Sequence, residues 1–126
     1  MAELTLEVIA LPEFETQASM ENGSISVRLR GSADLAARKP LESLLHGVHS
    51  ESQRLKARRV VIDLTELEFM NSSCFKSFVT WIEEVQNLDA GAQYRITFIS
   101  NPATHWQRRS LKALSCFAAD LITLES

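Results

Sequence analysis

Hydrophobic and polar residues alternate along the first thirty residues, as they do in strands with one buried face. Residues 4–8 follow this pattern and predict a short N-terminal strand. A weaker strand pattern at residues 14–20 and a clear one at residues 25–30 flank Asn22-Gly23, a dipeptide typical of hairpin turns. The pattern therefore predicts an antiparallel hairpin, preceded by an extension of residues 1–11 for which an extra strand is one option.

After the hairpin, apolar residues recur every three or four positions, which is typical of amphipathic helices. Short apolar runs with strand character separate these helical segments. The predicted helices cover residues 37–55, 73–88 and 103–114, and the predicted strands cover residues 60–64, 94–99 and 121–124. The run Val60–Leu64 contains a single polar residue, which is typical of a strand covered on both faces.

This order of elements predicts a single α/β domain spanning residues 1–126. Strands that alternate with helices are joined by crossover connections, so most of the sheet is predicted to be parallel. The opening hairpin makes the sheet mixed, and the helices are expected to pack on it. Because the carboxyl ends of neighbouring parallel strands meet at one edge, the loop with Asp34 is predicted to lie beside the loop with Ser72.

The composition limits the classes of function. With 126 residues, of which 45% are hydrophobic, the chain is expected to form one globular domain with one core. The net charge of −3 gives no reason to expect nucleic-acid binding. No apolar stretch approaches the length of a membrane span, and the N-terminus lacks the basic start of a signal peptide. We therefore predict a cytoplasmic protein with neither a nucleic-acid nor a membrane partner.

The two cysteines, Cys74 and Cys116, lack the spacing of metal ligands and are predicted to be reduced, buried thiols. Cys74 is a candidate nucleophile, because a helix N-terminus lowers the pKa of a thiol. However, Cys74 falls on the apolar stripe of its helix. None of His46, His49 and His105 has a local spacing that favours pairing with it as a base. The pattern therefore favours a core cysteine over a catalytic one.

Two groups of charged residues are further candidates for binding. Carboxylates near predicted strand ends would hold a metal only if the fold brought two or more together. These carboxylates belong to Asp34, Asp63, Glu66 and Glu68. Four basic residues at helical spacing predict a solvated face of the third helix, with an acidic partner surface as the alternative. They are His105, Arg108, Arg109 and Lys112, opposite a face predicted to be buried at Trp106, Ala113 and Leu114.

The chain also lacks a glycine-rich phosphate-binding loop, since its four glycines are scattered. With no such loop, no set of residues spaced as a catalytic base and nucleophile, and no metal-ligand cluster, we predict no metal, no cofactor and no enzymatic activity.

The serine pair Ser72-Ser73, which follows Asn71, is the most informative polar feature. These residues stand where a predicted strand has ended and an amphipathic helix begins. One interpretation is structural: one of the three caps the helix, which is worth about 1 kcal/mol. The other is a phosphoacceptor, since a phosphate is favourable at the positive end of a helix dipole. The residues alone favour the cap and leave the phosphoacceptor open.

Three segments of the chain resemble the STAS domain family, whose bacterial single-domain members are anti-sigma factor antagonists. Residues 31–34 resemble the Gly-x-Leu-Asp ending of the family's second strand. Residues 60–73 resemble its hallmark, a strand and then a loop with an Asp-Ser-Ser/Thr-Gly motif that opens a helix. Residues 99–103, leading into residues 114–117, resemble the strand and helix before the last strand.

The resemblance implies a STAS-like fold and a non-enzymatic regulatory role in a partner-switching pathway. It implies as partners a GHKL-type serine kinase that acts as an anti-sigma factor, and a cognate phosphatase. Ser72 occupies the position that the kinase phosphorylates in the family. Partner binding is accordingly predicted for Ser72 and its surroundings, namely Asp34, Asn71, Ser73 and Lys76.

The chain departs from the family motif at two positions beside Ser72. Asn71 replaces the motif Asp, and Cys74 replaces the motif Gly. Asn caps a helix as well as Asp does, so the departure leaves the predicted fold intact. The alternative function is therefore a divergent STAS scaffold or interaction subunit that binds its partner without being phosphorylated. A homodimer is also left open.

Overall fold

The computed structural model describes Leu4, Leu6 and residues 8–126. Its strands are β1 (Phe14–Glu21), β2 (Ser24–Ala33), β3 (Arg59–Met70), β4 (Arg95–Ile99) and β5 (Ile122–Glu125). Its helices are α1 (Arg38–Leu55), α2 (Ser72–Gln86) and α3 (His105–Phe117), with 3-10 turns at Leu35–Ala37 and Ala90–Ala92. The sheet order is β1-β2-β3-β4-β5, in which β1 is antiparallel to β2 and the other neighbours are parallel. The predicted mixed α/β fold is confirmed.

The opening hairpin forms where the sequence predicts it. Asn22 and Gly23 have φ angles of 52° and 81°, as a tight turn with two left-handed residues requires. The N-terminal strand predicted at residues 4–8 includes residues 5 and 7, which, like residues 1–3, lie outside the described residues. Within residues 8–11, strand structure is limited to an isolated bridge between Ala10 and Glu15.

The helices cover one face of the sheet at β3. The rings of Phe78 on α2 and Phe98 on β4 lie 5.7 Å apart on this face. It buries alternate residues of β2 and β3, namely Ile25, Val27, Leu29, Val60, Ile62 and Leu64. On the opposite face Val61 and Asp63 are half-buried, and Asp63 pairs with Arg28 at 3.5 Å. The prediction that residues 60–64 are covered on both faces is wrong, because Val61 and Asp63 on the second face are only half-buried.

Strand β3 is longer than predicted and extends beyond its neighbour β4. β4 ends at Ile99, opposite Asp63, whereas β3 continues to Met70. This extension pairs with β2 through two register shifts. On its other side, Gln107 of α3 donates hydrogen bonds of 2.8 Å to the carbonyls of both Leu64 and Leu67. Side chains of α3 therefore replace a neighbouring strand along this part of β3.

The buried face of α3 is turned relative to the prediction. Gln107, Leu111 and Leu114 are buried, whereas Trp106 is half-buried and Ala113 is exposed. Of the three residues predicted to be buried, Leu114 is buried, Trp106 is half-buried and packs against the core, and the prediction is wrong for Ala113. The physical reason is that Gln107 must face β3 to reach its carbonyls. The four basic residues are exposed, as predicted: His105, Arg108, Arg109 and Lys112.

Replacing Gln107 by Ala should destabilise the domain, because two buried carbonyls lose their donor. An unsatisfied buried polar group costs about 1–3 kcal/mol. We therefore expect the free energy of unfolding, measured with urea, to fall by about 2–5 kcal/mol. The neighbouring exposed Arg108→Ala variant is the matched control and should change stability by less than about 0.5 kcal/mol. Equal stability of the two variants would contradict the bridging role of Gln107.

A polar relay joins α1, α2 and the residue before β4. Trp81 Nε1 donates to the Tyr94 hydroxyl at 2.8 Å. The Tyr94 hydroxyl also forms a hydrogen bond with His49 Nδ1 at 2.7 Å, in which the tautomer of His49 decides which atom donates. The other ring nitrogen of His49, Nε2, faces the Glu84 carboxylate at 3.9 Å. Burial lowers the pKa of His49, Glu84 opposes that shift, and His46 adds to it.

Stability should fall in mild acid because of His49. A pKa lowered by folding means that the neutral imidazole contributes stability above the unfolded pKa of about 6.5, and that this is lost as pH falls through the folded pKa. We expect thermal unfolding between pH 7.5 and pH 5 to show this loss in the wild type and in His46→Gln. In His49→Gln the dependence should be smaller. An unchanged dependence in His49→Gln would show that another group titrates.

Candidate functional site

The site lies at the edge of the sheet where β2 and β3 end. Ala33 and Met70 are paired in the last register position of these two strands. The Asn71 N–H donates to the Ala33 carbonyl at 2.7 Å. The Cys74 thiol donates to the Asp34 carbonyl at 3.2 Å. The prediction that the Asp34 loop lies beside the Ser72 loop is confirmed.

Asn71 is the N-cap of α2. Its backbone is extended, with φ −64° and ψ 147°, and its Oδ1 accepts the Ser73 N–H at 2.8 Å. Its carbonyl accepts the Phe75 N–H at 3.0 Å. The capping role therefore belongs to Asn71 and to neither serine. Ser72 is the first residue of α2, and its exposed hydroxyl makes no hydrogen bond within the described part of the chain.

Asp34 has a capping role of its own. It precedes the 3-10 turn Leu35–Ala37, and its Oδ1 accepts the Ala36 N–H at 3.0 Å. The Asp34 side chain therefore holds the turn that leads into α1. Its half-buried carboxylate remains near the edge that Ser72 occupies.

Ser73 and Lys76 face a groove between α1 and α2. The groove has a volume of about 960 Å³ and is also lined by Arg38 and Lys39 at the start of α1. Ser72 is outside this lining, so the two serines face different surroundings. Four of the five predicted partner-binding residues thus surround Ser72 on two sides: Asp34 and Asn71 at the strand ends, Ser73 and Lys76 on α2.

The carboxylates near strand ends do not converge. Asp63 Oδ1 accepts hydrogen bonds from the backbone and the hydroxyl of Thr65, at 2.9 and 2.7 Å. These bonds lie where the register between β2 and β3 shifts. Among the residues that the structure describes, no group of three or more His, Cys, Asp or Glu could hold a metal. No helix in that part of the chain is long and apolar enough to span a membrane.

Cys74 is fully buried under the same edge. Burial raises the pKa of its thiol, Asp34 raises it further, and Arg38 opposes the shift. A raised pKa leaves little thiolate at neutral pH, so Cys74 is unsuited to nucleophilic attack. Cys116 is exposed, and the prediction that it is buried was wrong. On α3 it lies two residues after the buried Leu114, which turns it away from the core.

No protein-family model and no curated protein matches the chain. Solved structures do match. One is an anti-sigma factor antagonist from Mycobacterium paratuberculosis, with a TM-score of 0.68 and 19% identity over 93% of this chain and 90% of that chain. Another is the anti-sigma factor antagonist SpoIIAA in its unphosphorylated form, with a TM-score of 0.55 and 19% identity over 75% of this chain and 79% of that chain.

The chain has the fold of the anti-sigma factor antagonists. The match to the mycobacterial protein spans almost the whole chain, so the predicted STAS-like architecture is confirmed. At 19% identity the likeness concerns the fold, and the functions of individual residues are a separate question.

The sequence analysis did not predict that two apolar residues near Ser72 are exposed. Leu35, in the 3-10 turn, is 64% exposed, and Phe69, near the end of β3, is 50% exposed. Both belong to segments whose apolar residues are otherwise expected to be buried. The alternation of residues does not distinguish them, because Phe69 lies on the part of β3 that extends beyond β4 and Leu35 lies in the 3-10 turn after β2.

The two cysteines should react at very different rates. With a thiol reagent at neutral pH, we expect one rapid equivalent from exposed Cys116 and a second, from Cys74, only after a denaturant is added. A Cys116→Ser variant should lose the rapid phase entirely, and peptide mapping identifies the labelled residue. Rapid labelling of native Cys74 would contradict its burial and reopen the nucleophile interpretation.

Proposed function

We propose that this protein is a non-enzymatic cytoplasmic regulator that binds an anti-sigma factor of the GHKL ATPase class. Phosphorylation of Ser72 by that partner controls the complex. Two lines of support lead here. The fold is that of anti-sigma factor antagonists, and the segment at residues 60–73 resembles the STAS motif.

The observation that carries the proposal is the free Ser72 hydroxyl. Because Asn71 caps α2, Ser72 has no capping duty and its exposed side chain has no hydrogen-bond partner within the described residues. A kinase can therefore approach the hydroxyl without breaking any contact that supports the fold. Ser73 differs, because its half-buried side chain faces the groove between α1 and α2.

The chemistry takes place in the partner's active site. The Ser72 oxygen attacks the γ-phosphorus of ATP, the bond to the β–γ bridging oxygen breaks, ADP leaves, and the hydroxyl proton passes to a base of the kinase. A phosphatase restores the hydroxyl by transferring the phosphoryl group to water. Asn71 and Asp34, as caps, hold the two loops in place, while Ser73 and Lys76 lie on the adjoining face of α2.

The phosphate would act on the partner more than on the fold. It adds about 1.5–2 negative charges at pH 7, at the end of α2 where the helix dipole favours an anion. The domain therefore stays folded. The partner must instead bury or face that charge, and burying an unmatched charge costs several kcal/mol, which is enough to release a micromolar complex.

Ser72 and Ser73 provide a matched pair for testing this. After incubation with ATP and each purified GHKL-type anti-sigma factor encoded in the same genome, we expect phosphopeptide mapping to place the phosphate on Ser72. Ser72→Ala should bind the partner and accept no phosphate, whereas Ser73→Ala should still be phosphorylated. Ser72→Asp should bind more weakly than the wild type, with a melting temperature close to it.

The contrary outcomes separate the alternatives. Binding without any phosphate on Ser72 would leave the non-phosphorylated scaffold, as the replacement of the motif Asp by Asn71 suggests. Phosphate on Ser73 alone would move the control point into the groove. If none of these anti-sigma factors binds, the proposed partner class is wrong.

A further inference from the structure

The Tyr94 hydroxyl is a buried junction between two helices. It accepts the indole N–H of Trp81, on α2, at 2.8 Å, and it lies 2.7 Å from Nδ1 of His49, on α1. Burial raises the pKa of Tyr94, Trp81 and Ser52 oppose that shift, and Glu84 adds to it. The phenol therefore keeps its proton at neutral pH, and because Tyr94 is buried, this proton needs an acceptor inside the protein.

The surroundings of the His49 ring favour one neutral tautomer. Nε2 faces the Glu84 carboxylate at 3.9 Å, so a proton on Nε2 is attracted by the carboxylate, whereas a lone pair there would be repelled. With the proton on Nε2, Nδ1 is an acceptor and the Tyr94 hydroxyl is the donor. Three titratable groups thus act on His49: Glu84 from α2, Tyr94 from the segment before β4, and His46 from α1.

A second proton on His49 reverses the direction of its bond to Tyr94. Nδ1 then carries a hydrogen that points at the Tyr94 oxygen, which has a lone pair for it beside the one that Trp81 uses. The hydroxyl proton must turn to another acceptor. Ser52 is the other hydroxyl that acts on Tyr94. Its Oγ donates to the Val48 carbonyl at 2.7 Å, which leaves its lone pairs free to accept.

We propose that His49, Tyr94 and Ser52 form a proton switch inside the interface between α1 and α2. At neutral pH the Tyr94 hydroxyl donates to His49 Nδ1. In mild acid Nδ1 takes a proton from solvent, the hydroxyl turns to Ser52 Oγ and accepts the new N–H, and the charged ring pairs with Glu84 through Nε2. Each buried group keeps a partner in both states, so the domain answers acid by exchanging hydrogen bonds while it stays folded.

The switch makes the charge of the groove between α1 and α2 depend on pH. Glu84 lines this groove, together with Ser73 and Lys76. A neutral His49 leaves the negative charge of Glu84 without compensation from the ring, whereas a protonated His49 offsets it. The groove therefore loses one uncompensated negative charge in mild acid. This inference does not depend on phosphorylation of Ser72.

Nuclear magnetic resonance of the full-length protein, with its histidines labelled with nitrogen-15, tests the proton positions. At pH 8 we expect the proton of His49 on Nε2, and on acidification we expect a midpoint below the ordinary value of about 6.5. His46→Gln should keep the same tautomer. A proton on Nδ1 at pH 8 would overturn the proposal, and so would unfolding that coincides with protonation of His49.

Replacing Ser52 by Ala tests the second acceptor. Once His49 is protonated, the Tyr94 hydroxyl has no acceptor in this variant, so the midpoint of His49 should fall by about one pH unit, a loss of about tenfold in proton affinity. Thr80→Val is the matched control, because the Thr80 hydroxyl also donates to the carbonyl four residues earlier, that of Lys76, at 3.2 Å. It should leave the midpoint unchanged. Equal midpoints in Ser52→Ala and the wild type would contradict the switch.

A Tyr94→Phe background separates the switch from a direct effect of Ser52. With no hydroxyl to turn, adding Ser52→Ala to Tyr94→Phe should not move the midpoint of His49. A shift as large as in the wild-type background would show that Ser52 acts on His49 without Tyr94, and the proposal would be wrong. If Tyr94→Phe does not fold, the comparison of Ser52→Ala with Thr80→Val decides the question.

Discussion

The part of β3 that extends beyond β4 depends on hydrogen bonds from α3, and the site depends on that part of β3. A strand without a neighbour leaves its carbonyls unsatisfied, which is costly when they are buried. The Gln107 side chain donates hydrogen bonds to two of these carbonyls, and Trp106 Nε1 donates one to the Glu68 carbonyl at 2.9 Å. The strand can therefore run on to Met70, where the cap of α2 begins at once.

Neighbouring residues at the start of α2 have different structural roles. Asn71 satisfies the helix end and joins it to Ala33, while Cys74 fills the core beneath and bonds to the Asp34 carbonyl. These two residues hold the loop from both sides. Ser72 is left exposed and chemically available between them. The two departures from the family motif thus keep the geometry of the site and leave its hydroxyl free.

The enclosed polar groups and the exposed apolar side chains lie in different parts of the molecule. The polar relay from Trp81 through Tyr94 to His49 is enclosed between α1 and α2, where each group has a partner. At the carboxyl edge of the sheet, by contrast, Leu35 and Phe69 lack cover within the described chain. The same edge carries the exposed Ser72 hydroxyl.

The sequence by itself determined the order of elements, the hairpin at Asn22-Gly23 and the mixed sheet, because these follow from local periodicity and turn chemistry. It also placed Ser72 at a helix start. It could not determine that β3 runs on to Met70, that α3 is turned to bury Gln107, or that Leu35 and Phe69 are exposed. Each of these depends on which strand or helix lies alongside, and burial is a property of the packed structure and not of the local pattern.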